Sequence, residues 1–220
     1  VYAARDYEPQ ALARDDTVRA ALAQTGCAFV TCKDQVIFEG REILTQSGTP
    51  YGVFTPYKNN WLSRVAPEHL INHDCAPLAQ HLCARPAELQ QAVPSLRDIG
   101  FTATNLSSLK IPTGESGGQA LFEDFFERMD DYHATRDFPA VKGPSYLGVH
   151  LRFGTVSIRQ LVRIALQRQA AGSAGAAVWL SELVWRDFYF AILANFPQVA
   201  QHAFKPEYDA IEWESGAHAD

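Results

Sequence analysis

Residues 179–189 read WLSELVWRDFY. At helical spacing Glu182, Trp185, Arg186 and Tyr189 fall at i, i+3, i+4 and i+7, so they share one face. Trp179, Leu183 and Phe190 cover the neighbouring faces. A helix that needed only an apolar stripe would have no use for two indoles, a carboxylate, a guanidinium and a phenol so close together. Two readings follow. In one, the segment is a core helix with Trp179 and Trp185 buried and Glu182–Arg186 as an i,i+4 pair. In the other, it faces a ligand: an indole stacks on a nucleobase at about 1–3 kcal/mol per base, the acid accepts from a base edge, and the guanidinium holds a phosphate. Pattern alone favours the first.

Around this stretch lies a chain of 220 residues, 47% hydrophobic and 20% charged, a globular balance with room for one large domain or two modest ones. No apolar run reaches the roughly 18 residues of a membrane helix. The N-terminus, VYAARDYEPQ, lacks the pattern of a secretory signal and starts like the middle of a strand. The net charge of -6 argues against a general electrostatic grip on nucleic acid. Yet Arg136, Lys142, Arg152, Arg159, Arg163, Arg168 and Arg186 face a single acid, Asp137, before Glu182, which leaves room for a local basic surface. Cys27, Cys32, Cys75 and Cys83 form no CxxC pair, and His73 and His81 near the last two do not meet metal-ligand spacing. The expectation is reduced thiols in a cytoplasmic protein with no metal.

Along the chain, residues 9–24 read as an amphipathic helix with Leu12, Val18, Ala21 and Leu22 inward, ended by Gly26. CAFVTC (27–32) and then QVIFEG (35–40) read as strands, and a helix beside buried strands is the texture of an α/β layer. FTPYKNNWLSRV (54–65) is a helix with Pro56 in its first turn. From 66 to 118 recurrent Pro and Gly suggest a long surface linker with short helical turns. After Gly118 the texture is helical, with Leu121, Phe125 and Met129 on one stripe, a short helix in SYLGVHLRFG, another from 157 capped by Ser157, and a long one ending at Pro197. The tail from 205 reads as loop.

The segment RDFPAVKGPSYLGVHLRFGTVSIR (136–159) carries a second constellation. Gly143, Pro144 and Ser145 lead into a helix whose free amides suit an anion, though a Pro-Ser helix start is common. Tyr132 upstream reads as half-buried packing, Arg136–Asp137 as a surface ion pair, and Arg152, Arg159 and Arg163 as solvated faces.

Taken together, the 136–159 segment and WLSELVWRDFY resemble the DNA photolyase and cryptochrome family, most closely its bacterial class I cyclobutane pyrimidine dimer branch. RDYEP (5–9), VFTPYKNNWL (53–62) and IEW (211–213) are similar to family segments in the same order. The resemblance implies an α/β plus all-α protein: residues 1–65 as the C-terminal part of a Rossmann-like α/β antenna domain, 66–118 as the linker, and 119–220 as the first half of a helical FAD-binding domain. It implies light-driven repair of damaged DNA by electron transfer from reduced FAD. Tyr132, Pro144, Ser145, Tyr146, Leu147, Gly148 and Trp179 would hold FAD. Glu182 would bond a flipped-out pyrimidine, most plausibly protonated or sharing a proton, and Trp185 would stack on the dimer. Arg136 and Arg186 would meet the DNA backbone. Trp213 would be the outer tryptophan of the chain that photoreduces the flavin.

Pro144 and Gly148 stand where family members often carry hydroxyls, which weakens the phosphate grip. Gln10, Ala11 and Gln201 stand where folate-antenna members carry Asn, Glu and Lys, so a second chromophore would be of another, unspecified kind. The resemblance also implies a monomer without membrane contact, and a middle slice of a longer enzyme, inactive alone. A cryptochrome-type blue-light receptor and a cofactor-free helical interaction module are the alternatives.

Overall fold

Tyr2–Ala4 (β1) pairs in parallel with Val30–Cys32 (β2), in the register Tyr2 to Val30 and Ala4 to Cys32. Pro9–Gln24 (α1) makes the crossover, so the chain starts as one β-α-β unit. The computed structural model describes residues 1–109, 111–214 and 216. Pro9 opens α1, where a missing N–H costs nothing. Beyond it Gly26 takes φ +72, the left-handed geometry of a helix stop. The inward face of α1 differs from expectation. Ala11 and Asp15 are buried, whereas Leu12 and Val18 are exposed, because the helix touches its neighbours along a narrow line and shows solvent elsewhere.

QVIFEG is not a strand. Val36, Ile37 and Phe38 are buried, as an apolar run should be, but in an irregular loop. The loop is tolerated because its amides find a partner outside any sheet: Ile37 and Phe38 both donate to the Asp187 carboxylate at 3.1 Å. That satisfies the buried backbone as a ladder would.

Phe54–Arg64 (α2) buries Tyr57 and Trp61, one turn apart. The segment that follows is exposed from residue 71 to 105 and contains short 3-10 turns, among them Pro67–Leu70 and Ala76–His81. The helical half begins with Gly114–Phe126 (α3), a few residues before the expected start, and continues through Tyr132–Thr135 (α4), Gly148–Phe153 (α5), Ile158–Ala170 (α6) and Ala174–Asn195 (α7). Ser157 and Ser173 cap α6 and α7, accepting the amides of Gln160 (3.4 Å) and Ala176 (3.1 Å). The tail expected as loop opens with a 3-10 helix, Pro206–Ala210, whose first residue is a proline, and is irregular from 211 to 214; Ser215 and residues 217–220 lie outside the described residues.

Everything in the helical half leans on α7. Leu161, Val162 and Ala165 of α6 pack on it, α4 and α2 cover other sides, and Leu180, Leu183, Val184 and Phe188 are buried between them. Gly175 lets α7 start directly against the Met129–Asp131 turn: a Cβ there would lie 2.0 Å from the Met129 carbonyl oxygen. The result is a mostly helical protein with a small parallel sheet. Among the described residues no helix is long and apolar enough to cross a membrane.

Candidate functional site

Glu182 does not pair with Arg186. Its carboxylate accepts instead from Arg136, just past the end of α4, and both side chains are about one-third exposed. Arg136 also reaches Asp137 at 3.3 Å and lies over the Tyr132 ring, 5.5 Å from its centroid. The hydrogen bond to Glu182 raises the Arg136 pKa. Tyr132 is buried edge-on to Phe125, at 5.7 Å and 88°. Burial raises its phenol pKa and keeps it neutral.

The segment 143–148 passes directly beside this cluster. A Cβ on Gly143 would lie 2.6 Å from the Thr135 carbonyl oxygen, so the backbone of the turn is pressed against the end of α4. Pro144 and Gly148 are exposed, Ser145 is half-buried, and Leu147 is fully buried and anchors the turn. Tyr146 is half-exposed with φ 57, the left-handed region that a residue with a side chain seldom enters. The Ser145 hydroxyl oxygen accepts the Leu147 amide at 3.4 Å, and no side chain caps the first turn of α5. Tyr132, Arg136, Glu182 and the 143–148 turn thus form one continuous patch.

Three expected site residues stand elsewhere. Trp179 is only 3% exposed and packs on Phe125 (centroids 4.8 Å) and Phe122 (6.3 Å), so its face lies in the core, because α3 closes over that side of α7. Arg186 points across the molecule. It donates to the Gln35 carbonyl and, at 3.5 Å, to that of Leu151, and it lies 4.6 Å over the Phe190 ring. Burial pulls its pKa down and the neighbouring Asp187 charge pushes it back. Its donors serve the fold rather than a surface phosphate. Trp185 turns toward α2, where Phe54 stacks on it with centroids 3.6 Å apart and planes 9° apart. Tyr189 lies 5.4 Å away at 22°. The indole is therefore flanked by two near-parallel rings of the protein itself. Trp213, in the C-terminal loop, is 82% exposed.

Two of the three arginines read as solvated are also committed, while Arg152 is exposed. Arg159 donates to the Asp34 carbonyl at 2.8 Å and the Lys33 carbonyl at 3.2 Å, and Arg163 to that of Leu70 at 3.4 Å. Arg152 lines an open cleft of about 770 Å³ between the α/β segment and α5, along with Asp34, His73, Glu115 and Arg186.

The residue that sequence reasoning passed over is Asp187. It is completely buried, and one of its oxygens accepts the Trp61 indole N–H at 2.9 Å together with the Phe38 and Ile37 amides. Burial pushes its carboxyl up to about 6, while the three donors and Arg186 pull the other way. A signal was present: an acid one turn from Leu183 and Val184 and beside Phe188, on an apolar side of the helix.

Two family models match the chain, one described as DNA photolyase over residues 1–80 and one as the FAD binding domain of DNA photolyase over residues 179–220. A curated relative, the deoxyribodipyrimidine photo-lyase of Synechococcus sp. strain PCC 6301, is 32% identical over 98% of this chain and 46% of its own length. Among solved structures, a bacterial class III photolyase from Agrobacterium tumefaciens superposes with TM-score 0.78 at 24% identity, covering 97% of this chain and 44% of that one. A cryptochrome from Synechocystis sp. PCC6803 gives TM-score 0.69 at 18% identity over 88% and 41%. At these identities the structural likeness bears on the fold. The chain spans less than half the length of the relatives it matches here.

Proposed function

The chain belongs to the DNA photolyase family, and from that premise we propose that it supplies the lesion-facing side of α7 and one flavin-phosphate turn to an enzyme that splits cyclobutane pyrimidine dimers in DNA. Residues 1–65 would be part of its α/β antenna domain, and the helices from α3 onward part of its FAD domain. The observation that carries this reading is the single patch in which Glu182, Arg136 and Tyr132 adjoin the 143–148 turn.

The residues present fit FAD at that turn. Ser145 offers a hydroxyl, and the uncapped amides at the start of α5 are donors for an anion, such as the diphosphate that joins the two halves of FAD. When bound, FAD supplies the light absorption and the electron that opens the dimer. The protein's part is recognition. A damaged pyrimidine already stacks poorly, so swinging it out of the duplex costs less than for a sound base. Glu182 accepts from the N–H edge of the extruded base, while Arg136 donates to the same carboxylate and fixes its aim. Trp185, flanked by the Phe54 and Tyr189 rings, is the indole on this helix that would meet the pyrimidines. Trp179 and Arg186 hold α7 in place from the core and from the α/β side.

Illumination of the reduced full-length gene product with a dimer-containing oligonucleotide tests the proposal. Recovery of thymine absorbance at 260 nm is the expected result. A product that retains FAD yet leaves the dimer intact under light would overturn it.

A further inference from the structure

We infer that Arg128 is a positioning residue for the 143–148 turn, aiming the Ser145 amide hydrogen at the phosphates of a bound dinucleotide. The inference rests on the flavin reading above and adds to it a residue outside the turn.

Arg128 follows α3 and is four-fifths buried. Its guanidinium donates to three successive carbonyls: Lys142 at 2.7 Å, Gly143 at 2.7 Å and Pro144 at 2.9 Å. The opposite side of the guanidinium is held by the Asp124 carboxylate at 3.1 Å, and Lys142 Nζ reaches the other oxygen of that carboxylate at 2.6 Å. The Lys142 ammonium and then the Arg128 guanidinium hold Asp124 below the ordinary carboxylate range, so the anchor is charged. Flat contacts complete the seat, with Phe125 5.2 Å and Tyr146 5.9 Å from the guanidinium carbon.

The consequence comes from the planarity of the peptide unit. In a trans peptide the C=O and the following N–H point in opposite directions. With the Pro144 carbonyl drawn onto Arg128, the Ser145 amide must point away from it. The Gly143–Pro144 unit has no N–H to offer. Three carbonyl dipoles that would repel an anion are thereby turned inward and covered by a cation. Tyr146 is at the same time kept in its left-handed backbone geometry, since its ring rests against the same guanidinium. Lysine cannot replace this arrangement, because one ammonium cannot span three acceptors that a planar fork meets together. The acceptors of Arg128 in the turn are all backbone carbonyls, so its effect passes through the turn.

The test measures FAD affinity of the full-length gene product, made free of flavin and then titrated with FAD by fluorescence quenching, for wild type, Arg128→Lys and Arg128→Met. The melting temperature of each flavin-free protein is read alongside, as is the visible circular dichroism of the bound flavin. We expect FAD dissociation constants to rise about threefold to fivefold in Arg128→Lys and at least tenfold in Arg128→Met, with an altered flavin dichroism. Flavin-free melting temperatures should stay close to wild type. Unchanged affinity in either variant would overturn the inference, and so would a loss of affinity matched by a collapse of the flavin-free melting temperature in Arg128→Lys. Should Arg128→Met fail to fold, the lysine variant decides alone. Failure of the wild-type protein to take up FAD is a different result, and it would remove the flavin reading together with this one.

Discussion

The Asp187 carboxylate in α7 accepts the indole N–H of Trp61 in α2 at 2.9 Å, across 126 residues of sequence. The same oxygen takes the Phe38 and Ile37 amides, so one buried acid ties α7 to a helix and a loop of the first half. Removal of that acceptor strands three buried donors. Asp187→Ala is expected to destabilise the protein by about 3 kcal/mol or more, since each unsatisfied buried donor costs about 1–3 kcal/mol. Asp187→Asn keeps one oxygen in the critical position and is expected to cost within about 1 kcal/mol at pH 7. Urea unfolding of the three proteins measures both.

Stability should also respond to pH through this group. The folded pKa, about 6, lies above the ordinary value of 3.8. Its stabilising contribution is therefore complete below the ordinary value and is lost as pH rises through about 6. Relative to wild type, Asp187→Asn should gain on the order of 2–3 kcal/mol between pH 4 and pH 7. Denaturation curves of both proteins at four pH values across that interval provide the check; a constant difference would show that the carboxyl titrates as it does in the unfolded chain.

Gly175→Ala is expected to be severe. The added Cβ would fall 2.0 Å from the Met129 carbonyl oxygen and 2.4 Å from that of Asp130, and both are backbone atoms that cannot swing aside. Overpacking of this kind costs about 1–3 kcal/mol or more. The expected reading is a lower melting temperature, accompanied by weaker FAD retention, because α4 and the 143–148 turn are displaced with the start of α7.

Glu182→Gln separates recognition from stability. The Arg136–Glu182 pair is one-third exposed on each side, and loss of such a pair costs about 1 kcal/mol or less. The repair yield per photon should fall about tenfold, since a charge-assisted bond to the base edge is replaced by a neutral one at a cost of roughly 1–2 kcal/mol. The ratio of the two effects, from melting curves and repair kinetics on the same preparations, decides whether Glu182 faces the substrate.

Much of the helical half was legible in the sequence. Ser157 and the apolar spacing after it mark α6, and WLSELVWRDFY lies within a single helix. What escaped has a common cause. Most partners of Arg128, Arg159 and Arg186 are carbonyl oxygens, which every residue carries and no letter in a sequence reveals. The run Val36-Ile37-Phe38 reads as a strand because burial alone gives that signature; the acid that makes a loop possible there is 150 residues away. The pairing of Glu182 failed for the same reason. Arg186 at i+4 is a local candidate, and Arg136 becomes the nearer one only once α4 is packed on α7. Trp179 is core, and Trp185 is partly buried, flanked by the Phe54 and Tyr189 rings.

Residues 71 to 105 are exposed throughout, whereas Arg159 and Arg186 grip the carbonyls of Lys33, Asp34 and Gln35, and Asp187 grips the amides next to them. The covalent route between the halves and the mechanical one are thus different. A protease that nicked the exposed stretch would leave two peptides on a denaturing gel and one particle in a sizing column.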